Sequence, residues 1–143
     1  MPNILHKFPV NASIDKVFEC ISTPEGLDIW WGKSTKGTPS INEIYHFDFG
    51  PGYQWEAKVS QFVENEIFEL TITKADKDWI GTKVGFGLKA NNGSTKVEFY
   101  NSHWKSESEH FRISSFCWAM YLRLLKRYLE FGEVVPYAER LNV

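Results

Sequence analysis

The groups in this sequence best suited to proton transfer near neutral pH are four histidines: His6, His46, His103 and His110. Their spacing narrows what they can do. None belongs to an HxxxH or HExxH pair, and no carboxylate cluster completes a ligand set, so no metal site is expected. A GxSxG elbow, a P-loop and a dinucleotide fingerprint are all missing, and no cofactor is expected. What remains is acid–base work by His103 or His110, with Tyr121 as donor, which needs only hydrogen-bond reach of a substrate. No nucleophile, base and orienting group stand together, so binding is preferred over catalysis and the enzyme reading stays open. Two cysteines, Cys20 and Cys117, form no CxxC pair and read as free thiols of a reducing compartment.

Aromatic residues are the other chemical resource. Eleven Phe, six Trp and six Tyr make up 16% of the chain, enough to fill a core or to line a binding surface. Sixteen basic against 18 acidic residues exclude a strongly basic nucleic-acid footprint. The longest uncharged apolar-rich run, Ile113 to Leu122, is about half of what a bilayer span needs. The first residues lack a signal-peptide layout. These features point to a cytoplasmic, soluble protein without a membrane span. The 143 residues suit one domain, 1–143, with no repeat or linker to divide it.

The elements that must position these groups follow from periodicity. Ile4, His6 and Phe8 share one parity of a first strand, with Pro9 at its end or on an edge. Ser13 opens a short helix, and Thr23-Pro24-Glu25 opens a second one ending near Trp30-Trp31. A series of alternating segments then runs from Ile44 to His103, punctuated by Gly50-Pro51-Gly52, Glu64-Asn65-Glu66 and the hairpin signal Asn92-Gly93. This reads as an antiparallel meander with one apolar face. Gly85-Phe86-Gly87 inside a strand marks a bend or close packing. A last helix is predicted from Glu107 to Phe131, with Ser106 and Glu109 as a capping box and Gly132 as the stop. At 1.5 Å per residue it spans roughly 37 Å, long enough to cover the sheet.

On that helix Arg112, Arg123, Lys126, Arg127 and Glu130 form a solvent stripe. Opposite lie His110, Ser114, Cys117, Trp118, Tyr121, Leu125 and Tyr128. The inward parity of the strands collects Tyr45, Phe47, Phe49, Tyr53, Trp55, Phe68, Phe86 and Phe99 and continues to Asn101 and His103. His46, by contrast, falls on the outward face. Polar groups converging on an aromatic interior describe a ligand pocket. The candidate ligand-binding residues are therefore Tyr45, Phe47, Tyr53, Trp55, Phe86, Phe99, Asn101, His103, His110, Ser114, Trp118 and Tyr121. Each polar member taken alone is better explained by a bond to a backbone carbonyl or to water, and it is the set as a whole that points to a pocket. A register slip of one residue would turn Asn101 and His103 to solvent.

Three segments in order resemble a known group. They are Val10-Asn11-Ala12-Ser13-Ile14-Asp15-Lys16-Val17-Phe18; Thr23-Pro24-Glu25-Gly26-Leu27 followed by Trp30-Trp31; and Trp118, Leu122 and Leu125 ending in Tyr128-Leu129-Glu130 and Gly132. The chain resembles the START and birch-pollen-allergen-like (SRPBCC) superfamily, in the branch named for the activator of the heat-shock-protein-ninety ATPase. Cys117 departs from the pattern, standing where a glycine commonly precedes the tryptophan. The resemblance implies a helix-grip fold of the α+β class. Its curved antiparallel sheet has about six or seven strands around a long C-terminal helix, with two short helices after the first strand. It also implies a cavity between helix and sheet, but no single activity.

Three functions are carried forward. The first is binding of a small apolar or aromatic molecule. The second is cyclase- or hydrolase-type catalysis by His and Tyr in the same cavity. The third is protein interaction, through Trp30-Trp31 and a stripe of Ile113, Phe116, Met120, Leu124 and Phe131. That stripe serves as a homodimer seam or partner surface, or else part of it packs against the first strand and short helices.

Overall fold

The computed structural model describes residues 1–143. Its elements run β1 (Ile4–Val10), α1 (Ile14–Ser22), α2 (Pro24–Trp30), β2 (Ser34–Lys36), β3 (Ile44–Asp48), β4 (Gln54–Val63), β5 (Ile67–Lys74), β6 (Lys83–Asn91), β7 (Ser94–Ser102) and α3 (Glu109–Phe131). A short 3₁₀ helix, Tyr137–Asn142, follows α3. The seven strands form one antiparallel sheet in the order β1-β7-β6-β5-β4-β3-β2. The three α-helices pack on one face of it, and this is the α+β helix-grip architecture.

Local chemistry explains the joints. Asn92 and Gly93 both take positive φ, 51° and 88°, as a tight two-residue hairpin requires. Thr23 caps α2 by accepting from the Gly26 N–H, with Pro24 at the first helical position. Gly132 ends α3 in the left-handed conformation, φ 70°, where a Cβ would be penalised. The expected capping box at Ser106 does not form. Ser108 is the N-cap, its hydroxyl accepting from the Phe111 N–H, so α3 begins at Glu109. Short β2 had no periodic signal and was not anticipated.

The inner face of the sheet carries the core. Tyr45, Phe47, Phe68, Leu70, Ile72, Phe86, Val97 and Phe99 are buried there beneath Trp30, Trp118, Leu122 and Leu125. Two residues expected on the solvent stripe have structural work instead. The Lys126 ammonium donates to the Pro9 carbonyl, and the Glu130 carboxylate accepts from the Asn11 N–H. Together they cover the far end of edge strand β1, which would otherwise present unpaired backbone groups.

Candidate functional site

A pocket of about 200 Å³ opens between α3 and the inner face of the sheet. Its lining is Trp31, Phe49, Tyr53, Trp55, Trp79, Ile113, Ser114, Cys117, Trp118 and Tyr121, with no charged side chain. Five of these rings make a closed circuit. Trp118 lies 5.0 Å from Trp31, Trp31 6.0 Å from Phe49, Phe49 5.2 Å from Trp55, Trp55 4.8 Å from Trp79, and Trp79 6.3 Å from Trp118, between centroids. These are tilted and edge-to-face contacts, the favourable arrangements for aromatic quadrupoles.

Each ring comes from a different segment of the chain. Trp31 follows α2, Phe49 follows β3, Trp55 sits at the start of β4, Trp79 lies in the β5–β6 connection, and Trp118 is midway along α3. Two anchors hold the wall in place. The Trp118 indole donates to Asn101 Oδ1 at 3.0 Å, and Asn101 Nδ2 donates to the Lys83 carbonyl at 3.0 Å. Arg140, buried, donates to the carbonyls of Asp28, Ile29 and Gly32. It thereby closes the carbonyl end of α2 just where Trp31 leaves it.

The polar groups at the wall are few. Burial pushes the Tyr121 phenol up to about 12, so it stays protonated and able to donate at neutral pH. Burial also raises the Cys117 thiol, which makes it a poor nucleophile. Ser114 is buried at the pocket wall.

The residues expected from sequence divide into three groups. Tyr53, Trp55, Ser114, Trp118 and Tyr121 meet at the pocket. Tyr45, Phe47, Phe86 and Phe99 point inward but are packed into the core behind it, and Asn101 is fully buried with both ends of its amide bonded. Asn101 therefore positions Trp118 and, being fully buried, does not line the pocket.

His103 and His110 are the corrections. β7 ends at Ser102, and His103 takes φ 66°, which breaks the alternation and leaves the side chain exposed beside the Ser102 hydroxyl. His110 is also exposed, its Nδ1 3.1 Å from Asp78 Oδ2, and it does not turn toward the sheet. Neither histidine lines the pocket with Tyr121.

Five wall residues, Trp31, Phe49, Ile113, Cys117 and Trp79, are not among the candidate ligand-binding residues read from the sequence; the first four have an inward face or a surface role there, and Trp79 has none. Trp79 was hidden behind the charged run Lys74–Asp78, in a connection without periodicity. Its placement is set by a turn in which the Thr82 N–H and hydroxyl both reach the Trp79 carbonyl.

A sheet gripping a long C-terminal helix across an aromatic pocket defines a helix-grip protein. More narrowly, the chain belongs to the family of activator of Hsp90 ATPase homolog 1-like proteins, whose model matches residues 11–130. Among solved structures, the Aha1 dimer from Colwellia psychrerythraea is 28% identical, with a TM-score of 0.83 over 93% of this chain and 99% of that one. A Bacillus halodurans protein is 22% identical, with a TM-score of 0.76 over 91% and 98% of the two chains. The CalU16 protein from Micromonospora echinospora is 15% identical, with a TM-score of 0.75 over 97% and 80%. The last two likenesses show the fold alone. No curated protein matches the chain by sequence. No helix is long and apolar enough to cross a membrane.

Proposed function

We propose that residues 1–143 act as one binding domain for a small, neutral aromatic molecule held in the ring of Trp31, Phe49, Trp55, Trp79 and Trp118. The observation that carries this reading is the pocket's composition, nine hydrophobic residues of ten and no charge. Its size sets the ligand class. A pocket of about 200 Å³ suits a ligand of one or two fused rings. That volume is below the usual span of about 300–1,000 Å³ for ligand sites, so a long acyl chain or a large polycycle would extend past the open mouth. The protonated Tyr121 phenol and the Ser114 hydroxyl supply orientation. Catalysis has less support, because the two histidines named for it lie outside the pocket. The free thiols Cys20 and Cys117 favour a reducing, cytoplasmic setting.

The test is titration with 1-naphthol and indole, read by tryptophan quenching and thermal shift. The wild type should bind one of them saturably and melt higher by the amount mass action demands. Cys117→Phe, which pushes a ring into the pocket from a half-buried position, should fold normally and lose the response. Absence of saturable binding in the wild type, or equal binding in Cys117→Phe, would overturn the reading.

A second reading, self-association, has its own support. α3 exposes Phe116 at 81% and Ile113 at 53%, and the Colwellia relative is a dimer. Large exposed apolar side chains in one patch are a common mark of an interface.

A further inference from the structure

The exposed side of α3 has a pattern that its own fold does not use. Glu109, Ile113, Phe116, Met120 and Arg123 follow one another at spacings of four, three, four and three, which places them in one stripe along the helix. Over 14 steps of 1.5 Å the stripe is about 21 Å long. Its middle is apolar and its ends are opposite in charge. Glu109 and Arg123 are exposed, and neither has an ion-pair partner within the chain. Both stand seven residues from Phe116, one on each side. If two such helices cross antiparallel with Phe116 at the two-fold centre, each Glu109 falls opposite the other copy's Arg123. A parallel crossing would set like against like. The stripe is therefore self-complementary in one orientation only, as an isologous contact requires.

The same stripe touches the pocket. Ile113 is part of the seam and also part of the pocket wall, and Tyr53, 56% exposed, stands at the same wall. A second copy laid along the seam covers this rim. We propose that α3 pairs antiparallel with α3 of a second copy, centred on Phe116, and that this pairing closes the mouth of the aromatic pocket. Ligand entry and self-association then oppose each other: a ligand that needs the open rim favours the monomer, and dimerisation weakens ligand binding by the same factor. This inference rests on both the ligand-binding and the self-association readings above.

The experiment joins oligomeric state to pocket access. Sedimentation velocity should show a dimer for the wild type and a monomer for Phe116→Asp, a change at an exposed site that leaves the core alone. Glu109→Arg should also give a monomer, because it sets Arg against Arg123 twice. The double variant Glu109→Arg with Arg123→Glu should restore the dimer, which a merely destabilised protein would not do. A monomeric wild type, a dimeric Phe116→Asp or a double variant that stays monomeric would overturn the seam. Quenching by 1-naphthol should then report an affinity several-fold higher in Phe116→Asp than in the dimeric wild type, and the probe should shift the wild type toward monomer. Equal affinities in the two proteins would overturn the closure while leaving the pocket as a binding site. Quenching in none of the variants would sink the ligand reading, and the seam would stand or fall on the sedimentation results alone.

Discussion

The two faces of one sheet handle buried polar atoms in opposite ways. On the inner face, aromatic rings pack around a pocket that stays partly empty, and Tyr121, Ser114 and Cys117 stand at its wall. On the outer face no helix covers the strands, yet Glu69 is only 5% exposed. Its carboxylate accepts from the Ser60 hydroxyl at 2.6 Å, from Gln61 Nε2 at 2.9 Å and from the Tyr100 hydroxyl, with the Lys83 ammonium 3.5 Å away. Thr71 completes the cluster by donating to Ser60 and accepting from Lys83. The Tyr100 ring reaches Glu69 by lying across Gly85, where a Cβ would come within 2.1 Å of it. Gln61, Glu69, Gly85 and Tyr100 are successive cross-strand partners, so one row of the sheet sets the centre of the network, and the neighbouring pair Thr71 and Lys83, with Ser60, completes it. The outer cluster saturates its carboxylate, as a structural site does, whereas the inner pocket leaves open space beside the protonated Tyr121 phenol.

The largest expected effect tests the inner face. Trp118→Ala removes the ring that closes the aromatic circuit and strips Asn101 Oδ1 of its donor. It should lower unfolding stability by about 3–5 kcal/mol in urea titration. A loss under about 1 kcal/mol would mean that the rings do not pack as a unit.

Next comes the outer face. Glu69→Ala leaves Tyr100, Ser60 and Gln61 facing an empty site beside an unneutralised Lys83, and should cost about 2–3 kcal/mol by the same measurement. Tyr100→Phe keeps the ring over Gly85 and removes one bond to the charged carboxylate, for a smaller loss of about 1–2 kcal/mol.

The cluster also carries a pH signature. Burial by itself would raise the Glu69 carboxyl, but hydrogen bonds from Ser60, Tyr100 and Gln61 and the charge of Lys83 outweigh it and hold the group below its ordinary value. A depressed carboxyl stabilises the fold above the unfolded value, about 4.3, and loses that contribution as pH falls through the folded value. The stability gap between wild type and Glu69→Gln should therefore be constant near neutrality and shrink in acid below about pH 4. A gap that widened in acid would contradict the assignment.

The smallest effect is expected at the exposed histidines. His103→Ala with His110→Ala should change stability by less than about 0.5 kcal/mol each and leave 1-naphthol quenching intact. Lost quenching would bring them back to the pocket.

Much of the scaffold was legible in the residues themselves. Parity identified Tyr45, Phe47, Phe86 and Phe99 as inward, because a strand with one buried face must alternate. Asn92-Gly93, Thr23-Pro24 and Gly132 declared their joints through backbone preferences that are local. The site was harder to read. Alternation carried Asn101 and His103 together, but strand β7 ends between them, and a left-handed residue resets the parity. Glu69 and Tyr100 stand on the parity opposite to inward Phe68 and Phe99. Their burial depends on two neighbouring strands bringing Gly85 between them, which no single segment reveals.

The sequence by itself determined the order of the elements other than β2, the inward face of the longer strands and the long closing helix, because periodicity, capping and turn chemistry act over a few residues, and three ordered segments carried the family resemblance. Only the tertiary structure decided the pocket. Trp31, Phe49, Trp55, Trp79 and Trp118 come from segments spread over most of the chain, three of them in connections between elements. Their circuit exists only once register, helix placement and one aperiodic loop are set together. The same packing decided that most of the aromatic interior fills itself, and that only about 200 Å³ stays open at its edge.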